Sequence, residues 1–149
     1  MREIEFRGKS VKSGKWYYGD LSHGTITSGR RKNRKIYSIV DFCEVVTLPD
    51  DSLMNGSRDE AEVDSKTIGQ YVGREDKNGK RIYEGDIIVV DYDCGELSSR
   101  NIMEFSESSL AYLAKQVGST ARIGPGYWGN KILVIGNIYD NPKLLEADK

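Results

Sequence analysis

The chain has 149 residues, with 22 Lys and Arg against 23 Asp and Glu, for a formal net charge of −1 at pH 7. That length suits one domain or two small lobes with a real core, and the near-neutral balance excludes a protein that grips polyanions with its whole surface while leaving room for a local cationic patch. A hydrophobic share of 38%, a charged share of 30%, 16 glycines and 9 tyrosines describe a globular chain rich in strands and turns, and argue against an all-helical one.

Ile4 and Phe6 alternate with polar residues, the period of a half-buried strand, which Arg7-Gly8-Lys9 is expected to end. Met1-Arg2-Glu3 leads straight into that strand, so no signal peptide is read. No apolar run approaches the roughly 20 residues of a membrane helix, and the expectation is a cytoplasmic protein without membrane contact. Ser13-Gly14 marks a turn before Lys15-Trp16-Tyr17-Tyr18-Gly19-Asp20-Leu21. Three consecutive aromatics on a strand must point to both faces, so Trp16 and Tyr18 are candidates for an interaction surface covered by a second lobe or another subunit. Thr25-Ile26-Thr27 and Tyr37-Ser38-Ile39-Val40 read as the arms of a longer hairpin whose tip runs from Ser28 to Lys35. Glu44 to Leu48 is a further strand, stopped by Pro49, which cannot donate to a ladder.

Asp50 to Asp64 is acidic and has little to bury, which reads as a linker or loop. The expected organisation is therefore an N-terminal β lobe over 1–49, an acidic flexible segment over 50–66 and a barrel-like C-terminal lobe over 67–149, possible also as one compact domain. The chain is organised around Gly69 to Tyr92. There Asn78-Gly79 separates two β-rich runs and predicts a hairpin with a type I′ turn, since Asn and Gly tolerate the positive φ that both central residues need. Gly85-Asp86 suits a bulge or bend before Ile87-Ile88-Val89-Val90. Ile102 to Phe105 is the next strand. Leu110, Leu113, Ala114 and Val117 then fall at helical spacing with Gly118 as a C-cap, predicting a minor helix over 107–117, although Leu110, Tyr112 and Ala114 also alternate as a strand would. Lys131 to Tyr139 reads as a strand interrupted at Gly136, and Asn141-Pro142 as an N-cap and first turn opening a short C-terminal helix through Leu144 and Leu145.

Few residues offer chemistry. His23 is the sole histidine and, between Ser22 and Gly24, reads as an exposed turn residue. Cys43 and Cys94 lack zinc-site spacing, and the neighbours Asp91, Asp93 and Glu96 would oppose a Cys94 thiolate. Those three acids form too short a turn for an EF-hand, so no metal site is read. Glu84 and Asp86 are the best acid pair, but neighbours on a strand point apart unless Gly85 re-aims one of them. Arg30, Arg31, Lys32, Arg34 and Lys35 would let a hairpin tip hold phosphates, with Tyr37 as the nearby stacking aromatic. The same run could meet the acidic segment, where Asp50, Asp51, Asp59, Glu60, Glu62 and Asp64 outweigh Arg58, within one chain or across a subunit contact.

Four ordered blocks resemble the YopX family, whose members are encoded largely by phages and prophages. They are Arg2-Glu3-Ile4-Glu5-Phe6-Arg7-Gly8-Lys9, then Trp16-Tyr17-Tyr18-Gly19-Asp20-Leu21, then Thr67-Ile68-Gly69-Gln70-Tyr71-Val72-Gly73 with Asp76-Lys77-Asn78-Gly79-Lys80-Arg81-Ile82-Tyr83-Glu84-Gly85-Asp86-Ile87, and finally Val134-Ile135-Gly136-Asn137-Ile138-Tyr139-Asp140-Asn141-Pro142. The resemblance implies a mainly β (α+β) fold of small bent sheets, SH3-like and barrel-like, with minor helix, in a homo-oligomer inside a bacterial host. It carries over no catalytic residue and no cofactor. The expectation is a non-enzymatic phage accessory protein acting by interaction or assembly with a protein partner; the alternative is a nucleic-acid-binding protein using Arg30, Arg31, Lys32, Arg34 and Lys35.

Overall fold

The computed structural model describes residues 3–26, 34–42, 46–47, 53–54, 58–91, 99–124, 129 and 131–146. The chain divides into two units, Ile4–Gly69 and Gln70–Lys149 with Met1–Glu3.

In the N-terminal unit, β1 (Phe6–Lys9), β2 (Trp16–Ile26), β3 (Arg34–Phe42) and β6 (Arg58–Glu62) pair antiparallel in the order β6-β3-β2-β1. Between β3 and β6, the short pair β4 (Val46–Thr47) and β5 (Leu53–Met54) forms its own ladder. Arg7-Gly8-Lys9 continues the first strand where it was expected to end it. Arg7 is buried because its guanidinium lies over the Trp16 ring, 4.8 Å from the centroid, so its stem packs like an apolar side chain. Within the acidic stretch, residues 58–64 depart from the linker reading. Ala61 and Val63 alternate with Glu60 and Glu62 and are buried, while the backbone of Arg58–Glu62 pairs with β3. Thr67 then closes the unit: in a short 3-10 turn capped by the Asp64 carboxylate, its hydroxyl accepts the Lys9 N–H at 2.9 Å.

In the C-terminal unit, β7 (Gly69–Glu75), which starts at the last residue of the N-terminal unit, and β8 (Arg81–Tyr83) form the central hairpin. A second sheet contains β9 (Asp86–Val90), β10 (Asn101–Ser106), β11 (Ala111–Gln116), β12 (Arg122–Ile123) and β13 (Ile132–Asn137), in the order β12-β11-β10-β9-β13. All five residues of β9 are buried, as expected of a β-branched run flanked by strands on both edges. The core gathers Ile82, Ile88, Val90, Met103, Ala114, Ile132 and Val134, with Val72 and Tyr112 packed against it.

Three expectations are corrected here. Residues 107–117 form no helix: 107–110 is a turn, and β11 pairs with β10 through Met103↔Ala114 and Phe105↔Tyr112. The alternating pattern won because it puts Tyr112 and Ala114 on the core face; Leu110, common to both patterns, lies on the turn and is 80% exposed. No SH3-like closed barrel forms, the described strands of each unit being open antiparallel sheets. The C-terminal helix is only a four-residue 3-10 turn, Pro142–Leu145. Asn141 does not cap it, because its side-chain oxygen is taken by the Asn137 N–H at 3.1 Å. The interruption at Gly136 is present as a register shift between Val134 and Gly136 against β9.

Candidate functional site

The central hairpin turns at Asp76 to Lys80. The Asp76 carbonyl accepts the Gly79 N–H at 3.0 Å and the Asp76 N–H donates to the Lys80 carbonyl at 2.8 Å. Gly79 sits at φ 79°, but Asn78 does not share the positive φ, so the turn is not the type I′ expected. Asp76 is the reason. Its Oδ1 accepts the N–H groups of Asn78 and Lys80 at 2.8 and 3.0 Å, and its Oδ2 accepts that of Val134 at 3.1 Å. Burial raises the carboxyl pKa, but the amides of Val134, Lys80 and Asn78, with the Lys80 charge, outweigh it and hold the group below the usual aspartate range.

Glu84 and Asp86 are directed at separate backbone groups. The Glu84 Oε2 accepts the Gln70 N–H at 2.9 Å, and the Asp86 Oδ2 accepts the Tyr83 N–H at 2.9 Å, with Asp86 buried. Gly85 lies between them at φ 80°, its N–H bonded to the Met103 carbonyl at 2.8 Å. Its left-handed backbone shapes the corner, and both carboxylates serve the turn. Asp91 pairs with Lys77. Asp93, Cys94, Glu96 and Cys43 lie outside the described residues. Among the described residues no group of three or more His, Cys, Asp or Glu is placed to hold a metal ion, and no helix is long and apolar enough to cross a membrane.

A shallow recess of about 530 Å³ runs along this hairpin, lined by Tyr71, Gly73, Arg74, Glu75, Asp76 and Lys77. Its cations are engaged: Arg74 donates to the Gly129 carbonyl and Lys77 to Asp91. Beside it Tyr71 packs against Tyr83 at 5.7 Å, and Arg81 covers Tyr71 at 5.3 Å while pairing with Glu3 at 2.9 Å.

The other candidates lie on the N-terminal unit. Trp16 is half-buried under Arg7, while Tyr18 is 47% exposed, so of the two surface aromatics Tyr18 is the more available. Arg30, Arg31 and Lys32 lie outside the described residues; Arg34 is placed by its backbone, opposite Ile26, and Lys35 is exposed opposite Thr25. His23 belongs to β2 and not to a turn. It stands opposite Tyr37, ring centroids 6.5 Å apart and tilted by 54°. His23, Gly24, Thr25, Lys35 and Tyr37 line a hollow of about 390 Å³. The sequence offered Lys35 and Tyr37 but missed His23 and Thr25, because their neighbourhood depends on a register that is fixed only when β2 meets β3.

Comparison with known proteins bears on fold and family. No curated protein matches the chain. The crystal structure of protein EF1440 from Enterococcus faecalis is similar over 98% of this chain and 100% of that one, with a TM-score of 0.59 and 24% identity. The crystal structure of YopX from Bacillus subtilis is similar over the full length of both chains, with a TM-score of 0.48 and 20% identity. A family model described as "YopX protein" matches residues 5–146. That match spans both units and every sequence block from Phe6 to Pro142, and the chain belongs to the YopX family.

Proposed function

We propose that the chain is a non-enzymatic accessory protein of phage or prophage origin, working in the cytoplasm of a bacterial host through protein contacts and assembling with further copies of itself. The observation that carries this reading is the uncovered end of the apolar face of the C-terminal sheet. Met103 and Ala114 pair in the core with no exposure, but the next pair on the same face, Phe105 and Tyr112, is edge-to-face at 5.3 Å with Phe105 44% exposed. Ile123, opposite Ala114, is 40% exposed, and Leu110 stands on the adjoining turn. Covering such side chains releases about 25 cal/mol per Å² of apolar surface.

A second copy is favoured as the partner because the chain's own sequence carries both halves of a charge match, cations at Arg30 to Lys35 and acids from Asp50 to Asp64. The engagement of Glu84, Asp86 and Asp76 by backbone amides supports the non-enzymatic part. Light scattering across a concentration series tests the assembly, with a mass above one chain expected and falling on dilution; a monomer at the highest concentration overturns it.

A further inference from the structure

The β2–β3 hairpin presents chemistry that self-association leaves unused. β2 contributes His23 and Thr25 and β3 contributes Tyr37 and Lys35, two successive pairs on one face, set two residues apart along each strand. The face therefore alternates rows of different character, an aromatic pair of His23 with Tyr37 and a polar pair of Thr25 with Lys35. With Gly24 they line the hollow of about 390 Å³, a volume within the range of small-ligand sites.

We infer that this face binds single-stranded nucleic acid, with a base stacking on the Tyr37 ring beside the tilted His23 ring and the adjoining phosphate meeting the Lys35 ammonium and the Thr25 hydroxyl. The combination matters more than any member. An aromatic platform beside one cation and one hydroxyl suits a ligand that repeats a flat π-face and an anion at short intervals, as a nucleic-acid strand does. An acidic peptide would use Lys35 and leave the rings idle. A duplex keeps its bases stacked inside and cannot offer them to Tyr37. The surrounding sequence agrees: in a chain of net charge −1, Arg30, Arg31 and Lys32 fall in the sequence that joins the two strands, and Arg34 and Lys35 open β3. Such a local excess in sequence is compatible with binding one strand without making the whole protein a polyanion binder.

Fluorescence anisotropy on the full chain at low salt tests this, using a labelled oligothymidylate of about 16 nucleotides, the matching RNA, a blunt duplex and an oligoglutamate of equal charge. The single strands are expected to bind at least about tenfold tighter than the duplex or the peptide. Tyr37→Leu is expected to lower affinity about fivefold to tenfold with the salt slope unchanged, and His23→Ala to lower it in the same direction. His23 is exposed, so its replacement keeps the test valid if Tyr37→Leu disturbs folding. Lys35→Gln is expected to reduce the slope of log affinity on log salt by about 0.7. Equal binding of peptide and strand, tighter binding of duplex, no binding at all, or His23→Ala and Tyr37→Leu both without effect would each overturn the inference. None of these outcomes depends on the oligomer's mass, so the two readings fail separately.

Discussion

The carboxylate of Asp76 accepts the backbone N–H of Val134 at 3.1 Å, tying the turn of the central hairpin to the strand that flanks β9. Next to it the Lys77 N–H donates to the Ile132 carbonyl at 2.9 Å. The same Asp76 therefore shapes its own turn and fixes where that turn docks. Asp76→Ala leaves three amides without their acceptor and is expected to cost about 2–4 kcal/mol in urea denaturation; Asp76→Asn keeps an oxygen and should cost about half of that.

The pH dependence follows from the same carboxylate. Its folded pKa lies below the ordinary value, so the stability it contributes is complete above the unfolded pKa of about 3.9 and is lost as pH falls through the lower, folded one. Below about pH 4 the stability of the native chain should decline more steeply than that of Asp76→Asn, as followed by urea midpoints across an acid series.

Gly85→Ala should destabilise by about 1–3 kcal/mol. The residue sits at φ 80°, and an added Cβ would lie 3.1 Å from Cε2 of Tyr139. Pairing it with Tyr139→Ala separates the two causes: the contact is relieved and the backbone strain stays, so the double variant should recover only part of the cost.

Leu110 is a bulky residue at φ 50° and 80% exposed. Leu110→Asn, which tolerates that backbone, should raise thermal stability by roughly 0.5–1 kcal/mol and at the same time lower the mass seen by light scattering. A gain in stability with no change in mass would remove Leu110 from the assembly surface.

Met103→Ala, in the middle of the core beside Ala114, should cost about 2–5 kcal/mol with cavity formation. Phe105→Ala, two residues along the same face, should cost much less in the isolated chain because Phe105 is already 44% exposed. The contrast, read by urea denaturation, marks where the core ends.

Strands whose character is written in their own residues were legible from the sequence. Ile87 to Val90 is a buried β-branched run, and β13 announces both itself and its bulge at Gly136. What escaped was decided at a distance. Residues 107–117 satisfy helical and alternating spacing together, and only pairing with Asn101–Ser106 separates the two. Arg58–Glu62 is polar enough to pass for a linker because a ladder is made by the backbone, and Ala61 and Val63 are weak apolar signals between acids. The Asn78-Gly79 hairpin was readable, but its turn type was overridden by Asp76, whose carboxylate reaches Asn78, Lys80 and Val134 only once the fold is formed. Of the β2–β3 hollow, Lys35 and Tyr37 were visible and the partnership of Tyr37 with His23 was not, since the two become neighbours only through register.

β9 takes one neighbour, β10, from the chain just after it and the other, β13, from far downstream. During synthesis, Asp86–Val90 would leave the ribosome with one side of its ladder open until Ile132–Asn137 followed. A nascent chain arrested before Lys131 would carry a hydrophobic strand with a bare edge, the kind of surface that recruits chaperones or joins like edges on other polysomes.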